Sequence, residues 1–280
     1  VVVLGASLAL GSSLTGGASD FMGGVNSRRI GTMPWMFGTQ LVGAAIALGW
    51  ALFSGAPLPG LTTALEAIGA GLSIMVGLAA FFEAMVLGAI SIVAPISATG
   101  VVVPIAAGVI GGERPAAVQV GGILAAIIGI VVVSGGPRAR SFELSPALGL
   151  ALVAALASGL FFWLMSLASH GGVPWAMVIG RGVAVLGLAA ALAKRGAPLR
   201  PALTARNAWL IPIAAVLGSA GFGLYAESTL HTGLAIASVL GSLYPVVTVL
   251  CAYVVLGERV HGLQRLGIVT VFAGIVMMSA

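Results

Sequence analysis

Charge is the scarcest thing in this sequence. Asp, Glu, Lys and Arg together make up 7% of its 280 residues, while apolar residues make up 60%. A soluble domain carries roughly 25% charged residues, because its surface has to face water. This chain cannot build such a surface, and its mean hydropathy of +1.18 points to lipid as its solvent. Cysteine is nearly absent too: Cys251 stands alone, which excludes an intrachain disulfide and any cysteine-rich metal site. No His/Asp, Ser/Lys or HExxH arrangement is present, so an intramembrane enzyme lacks its reacting groups. Nothing reads GxxxxGK[ST], which removes a nucleotide-driven pump. Neither cofactor nor metal is expected. The pI near 10.4 does not point to nucleic acid, because the Lys and Arg residues sit in short gaps between apolar runs, where membrane proteins place topology signals.

What the chain has in abundance is glycine, 42 residues of it. In lipid, small residues let helices approach closely, as Gly69, Ser73 and Gly77 would, or Gly108 and Gly112. A membrane span needs about 20 mostly apolar residues to cross about 30 Å of hydrocarbon. Ten such runs follow one another: 3–25, 34–53, 67–88, 91–110, 116–134, 146–169, 174–193, 207–230, 233–256 and 263–280. The first lacks a basic leader and outlasts a signal-peptide core, so it reads as a span. The chain starts with valine, and a few residues are expected to precede it. All ten runs are expected to be helices, since an open sheet edge in lipid leaves backbone groups unpaired.

The phrase GGERPAAVQVGG beginning at Gly111 returns as LGERVHGLQRLG beginning at Leu256. Residues 88–134 and 233–279 align without gaps, and 16 of 47 positions are identical, among them Ser97/Ser242, Glu113/Glu258 and Gly129/Gly274. This is an internal duplication. The front portions match more weakly, at an offset of 140 that sets Phe21 against Phe161 and Pro34-Trp35 against Pro174-Trp175. The expected units are residues 1–136 and 146–280, each of five spans, joined by a loop at 137–145. Two copies of an odd-span unit cross the membrane in opposite senses, so the expected fold is all-α, ten transmembrane helices forming two inverted five-helix repeats around a central cavity. On the side of the N-terminus the loops carry only Arg114. The other side carries ten basic residues, from Arg28 and Arg29 to Arg259 and Arg265, and should be cytoplasmic, with both termini outside.

GSLYPVVTVLCAYVVLGERVHGLQRLGIVTVFAGIVMMS, its counterpart SIVAPISATGVVVPIAAGVIGGERPAAVQVGGILAAIIGIVVVS and the early SDFMGGVNSRR resemble EamA-type transporters of the drug/metabolite transporter superfamily. The resemblance covers nearly the whole chain. It implies a ten-helix basket with a central cavity, and a carrier that exports small metabolites, amino acids or toxic compounds, or that moves sugar phosphates or nucleotide sugars. Members of this kind usually keep their termini in the cytoplasm, a point at which this charge count departs.

Few polar groups lie at membrane depth, and a charge there is expensive enough to need a reason. Glu83 and Glu227 are expected near the two mouths, binding a substrate ammonium or carrying a proton, or else snorkelling or capping a neighbouring helix. Asp20 is a third proton-coupling candidate, or a structural partner of a helix end or an arginine. Arg181, the one cation well inside a span, is either a carboxylate or phosphate anchor or half of an inter-helix ion pair. Pro95, Pro104 and Pro245 break the fourth and ninth spans, and breaks at depth are tolerated where they line a cavity. Ser97, Thr99, Ser242 and Tyr244 cluster beside these breaks and mark the expected substrate site. Trp163, Phe82 and Tyr225 offer aromatic lining or plain packing. Trp35, Trp50, Trp175 and Trp209, near span ends, read as interface anchors. His170, His231 and His261 read as solvated end residues, and the two GER triplets as structural. The function expected is secondary transport of small organic metabolites by alternating access, as an exporter of amino acids or related amphipathic compounds. The alternative is a lipid or sugar-phosphate carrier or flippase of the same superfamily. The expected setting is the bacterial inner membrane, with membrane lipid and a small-molecule substrate as partners, no nucleic acid, and a monomer as the working unit.

Overall fold

The computed structural model describes residues 2–110, 117–134, 145–195, 209–232, 234–258 and 262–277. Among these residues the chain is helical and holds no strand. The helices are α1 (Val2–Ile30), α2 (Thr32–Phe53), α3 (Leu61–Leu87), α4 (Ile90–Ala98), α5 (Val102–Ile110), α6 (Ala117–Ser134), α7 (Pro146–Ser169), α8 (Val173–Arg195), α9 (Leu210–Thr232), α10 (Leu234–Gly241), α11 (Tyr244–Leu256) and α12 (Leu263–Met277). Five stretches are long and apolar enough to cross a bilayer: α2, α3, α7, most of α8 at Val173–Lys194 and most of α9 at Leu210–His231. Shorter apolar helices accompany them.

Local chemistry sets the ends. Ser145 caps α7, its hydroxyl accepting from the Leu148 amide at 3.3 Å, and Pro146 opens the helix where its missing N–H costs nothing. Gly31 turns α1 into α2 at φ 90°, a conformation only glycine adopts freely. The fourth and ninth expected spans are both interrupted, in different ways. After Pro95 the chain passes through a 3-10 turn, Thr99–Val101, and continues as α5. Between α10 and α11 the helix breaks, with Pro245 in the first turn of α11. The loop 137–144, Glu113, Arg114, Arg259 and His261 lie outside the described residues.

The most extensive packing runs between the two halves. The pairs α3·α7 and α1·α9 lead, followed by α6·α12, α2·α8, α3·α8, α1·α11 and α2·α9. Exchanging α1–α3 for α7–α9 converts the first pair into the second and α3·α8 into α2·α9, and leaves α2·α8 as it is. Burial repeats in the same manner. The buried positions Ala9, Ser12, Ser13, Gly17, Gly23 and Ser27 of α1 recur 142 residues on as Ala151, Ala154, Ala155, Gly159, Met165 and Ser169 of α7. Those of α2, namely Trp35, Met36, Gln40, Gly43, Ala47 and Ala51, recur 141 residues on as Ala176, Met177, Arg181, Ala184, Leu188 and Leu192 of α8. Those of α3, including Ala67, Ala70, Gly77 and Phe81, recur 144 residues on as Ile211, Ala214, Gly221 and Tyr225 of α9. The sequence offset of 140 for the front portions is therefore two short of the burial match in α1, one short in α2 and four short in α3. That offset was fixed by residues such as Phe21 and Pro34, and burial follows which face turns inward.

Where the halves meet, glycine removes the side chain that would keep backbones apart. A Cβ on Gly17 would strike the Tyr244 carbonyl at the α10/α11 break and come within 2.7 Å of Val247 Cβ. A Cβ on Gly159, the residue matching Gly17 in burial, would strike the Gly100 carbonyl in the other interruption and come within 2.8 Å of Val103. One hydroxyl from α1 reaches the backbone at the α10/α11 break: the Ser13 O–H is shared between the Leu240 and Gly241 carbonyls.

Candidate functional site

Inside α1, α2, α3, α7, α8 and α9, beside the start of α11, lies a cavity of about 840 Å³, its mouth included. Its walls are mostly small and aromatic, with Gly16, Phe81, Phe82, Ser158, Phe162 and Phe222 among them. Positions matched by burial line it together: Gly16 with Ser158, Asp20 with Phe162, Gln40 with Arg181, Ile74 with Gly218, and Leu78 with Phe222. A smaller apolar pocket of about 310 Å³ adjoins it, lined by Phe161, Met165 and Met177, and shares Gln40, Ile74, Arg181 and Phe222 with the larger one.

Arg181 is 6% exposed, on the inward face of α8. Its Nη1 donates to Gln40 Oε1 on α2 at 2.7 Å, and its Cζ stands 5.2 Å from the centre of the Phe222 ring. Its Nε and Nη2 are buried with no acceptor among the described residues, and Ser219 Oγ nearby has no partner either. The guanidinium occupies space that α2 leaves free at Gly43, where a Cβ would collide with Nη1 and come within 2.7 Å of Cζ. A buried ion left partly uncompensated costs on the order of several kcal/mol, which sets this arrangement apart from ordinary packing. Asp20, half-buried on α1, lines the same cavity and makes no hydrogen bond or ion pair among the described residues.

Of the other residues singled out from sequence, Phe82 and Tyr244 line the cavity. The Tyr244 ring meets Phe81 edge-on at 6.4 Å. Ser97, Thr99 and Ser242 are buried beside the interruptions, outside the lining. Each has its hydroxyl committed to backbone: Ser97 to Ala151 O at 3.5 Å, Thr99 to Ile96 O at 2.7 Å, and Ser242 to Ser238 O. Tyr225 is one layer out. Its hydroxyl meets Phe162 O and Ser238 Oγ, each at 3.2 Å, and its ring packs 4.7 Å from Phe162, which does line the cavity. Trp163 is half-buried on α7 and Glu227 half-buried on α9, both outside the lining. Glu83 is exposed near the end of α3, where its Oε2 accepts from Thr32 Oγ1 at 2.8 Å, in the first turn of α2. An acid at a helix N-terminus is favoured by the dipole.

Trp35 is corrected. It is 1% exposed and lines the cavity, so it is no interface anchor; α2 begins before it and turns its ring inward. Trp50 and Trp209 are exposed, and Trp175 donates to Ala56 O at 2.9 Å. Sequence reasoning missed Gln40, Phe222 and Ser219. For Gln40 a signal existed: it is an amide in the middle of an apolar run, where a polar group needs a partner.

The second GER also has a place. Glu258 Oε2 accepts from the Ser91 amide at 3.1 Å, at the start of α4. Arg28 reaches the end of α3, donating to Met85 O at 2.6 and 2.8 Å and to Gly88 O at 2.7 Å, and lies 4.0 Å from Glu258.

Residues 145–280 match the EamA-like transporter family. Comparison with curated proteins yields no match. Among solved structures 27 chains match. One, a crystal structure of another protein, superimposes on 99% of this chain and 95% of its own with a TM-score of 0.63 at 15% identity, which is a likeness of fold alone.

Proposed function

The protein is a member of the drug/metabolite transporter superfamily and an integral multi-pass membrane protein, and on that premise we propose that it is a secondary transporter of small organic metabolites, exporting amino acids or related amphipathic compounds by alternating access. Its ten spans form two inverted five-helix repeats that rock about the shared cavity. The exchange of packing partners between the halves and the recurring burial of α1–α3 in α7–α9 support that frame. The termini are outside, in a bacterial inner membrane. With Cys251 replaced by serine, cysteines introduced for Arg114 and Arg259 label from opposite faces, and same-face labelling overturns the inversion.

One observation carries the substrate reading: the open cavity between the halves holds one buried cation and one acid, set among aromatic walls. A sugar phosphate fits it less well, because a dianion meets one guanidinium together with the charge of Asp20. Of the three acids considered for coupling, Asp20 is the one in the lining, and proton coupling falls to it. The test is flux. Purified protein in liposomes is expected to show saturable, trans-stimulated movement of labelled amino acids. Absence of saturable flux for every small solute in a panel of amino acids, organic cations and sugar phosphates removes the carrier reading.

A further inference from the structure

The unpartnered atoms of Arg181 define more than a charge. Nε and Nη2 form one edge of the guanidinium, with N–H bonds running parallel, the edge that receives both oxygens of a carboxylate. The opposite corner, Nη1, is already held by Gln40, and the plane is steadied against Phe222. The group is thus held on one side, while on the side that carboxylates use its two nitrogens are buried without an acceptor among the described residues, the whole residue being 6% exposed. Asp20 lines the same cavity from α1, and the two form no ion pair with each other.

We propose that Arg181 and Asp20 form a two-ended receptor for a zwitterion with an apolar substituent, Arg181 taking its carboxylate and Asp20 its ammonium. This deepens the transporter reading above and rests on it. A simple organic anion satisfies Arg181 and leaves Asp20 facing like charge. A simple amine does the reverse. An α-amino acid satisfies both, and the rings of Phe81, Phe82, Phe162 and Phe222 accept its side chain. The two charged positions are also what orients the ligand: their burial counterparts, Phe162 for Asp20 and Gln40 for Arg181, are neutral, so the doubled cavity holds its substrate one way round.

The test is binding to purified protein in detergent, with L-phenylalanine as zwitterion, 3-phenylpropionate as carboxylate alone and phenethylamine as amine alone. Phenylalanine is expected to bind at least about tenfold more tightly than either analogue, the ratio a charge-assisted hydrogen bond supplies. Arg181→Gln is expected to erase its advantage over phenethylamine, and Asp20→Asn its advantage over 3-phenylpropionate. Equal binding of all three probes, or phenylalanine binding unchanged in Arg181→Gln, overturns the proposal. If Arg181→Gln fails to fold, Arg181→Lys keeps the charge and removes the paired edge. It is expected to lose phenylalanine about tenfold with phenethylamine unaffected, and unchanged phenylalanine binding overturns the receptor. The two readings fail separately. A protein that moves other solutes but does not bind phenylalanine loses the receptor and keeps the carrier. One that binds phenylalanine yet moves nothing loses the carrier.

Discussion

The helices α1–α3 and α7–α9 are alike in what they bury and unlike in what they charge. Gly17 and Gly159 bring α1 and α7 against the interrupted helices of the other half, each at a carbonyl. Gln40 and Arg181 occupy matched positions and bond to each other across α2 and α8. Yet Asp20 has Phe162 as its match, and Arg28, which holds the end of α3, has His170. The duplicated features are those that close-pack helices in lipid, where contact depends on small residues. Of the unduplicated ones, Asp20 lines the cavity and Arg28 lies at the end of α3. On the reading proposed above, the repeated frame would supply two equivalent ways of opening, and the unmatched charges would set what the cavity holds and which way round.

The largest effects are expected where the frame is tightest. Gly17→Leu and Gly159→Leu each place a side chain against backbone that cannot yield, and each should destabilise the protein by about 3 kcal/mol or more. Gly149, on the same helix as Gly159, has nothing within 4 Å of an added Cβ, so Gly149→Ala should be close to neutral. Thermal unfolding in detergent, followed by tryptophan fluorescence with the monodisperse fraction as a second readout, checks all three. If Gly159→Leu is tolerated while Gly17→Leu is not, the halves do not share this contact.

How much of this was legible follows from what lipid hides. The helix Pro146–Ser169 matches its expected span end for end, because hydropathy and the Ser-Pro cap both mark it. The flanks of others grew: α1 runs on to Ile30 past the expected end at Val25, since the polar residues Asn26–Arg29 can still be helical at the membrane edge. Facing was not legible in the same way. In water the buried side of a helix is apolar and the other polar, but here lipid and protein interior are equally apolar, so periodicity points nowhere. Arg181 and Asp20 were conspicuous because charge at depth is rare. Ser97, Thr99 and Ser242 were equally visible, but a hydroxyl can satisfy itself on its own helix carbonyl, as Thr99 and Ser242 do. Gln40 carried no charge to mark it and was passed over, although it accepts a hydrogen bond from Arg181 at 2.7 Å.

A smaller and sharper effect comes from moving the cation to its matched position. If Gln40 and Arg181 are true counterparts, Gln40→Arg combined with Arg181→Gln should rebuild the same hydrogen bond from the other helix. One feature opposes it. Arg181 fits because Gly43 leaves room, and the match of Gly43 is Ala184, whose methyl group would stand where the relocated guanidinium has to lie. The double variant is therefore expected to recover little of the roughly tenfold to hundredfold loss in phenylalanine affinity of Arg181→Gln. Adding Ala184→Gly should recover about tenfold. The converse holds in the native protein: Gly43→Ala pushes the guanidinium off Gln40 and should weaken binding by several-fold, about 1 kcal/mol, without unfolding, because the atom it displaces is the far end of a flexible chain. Titration of phenylalanine against the four variants reads each step. Recovery in the double variant without Ala184→Gly would mean that the two positions match in burial but not in the space around them. Failure of the triple variant, folded but no better than Arg181→Gln, would mean that the bond between α2 and α8 is not exchangeable and that the cavity is asymmetric in its frame as well as in its charge.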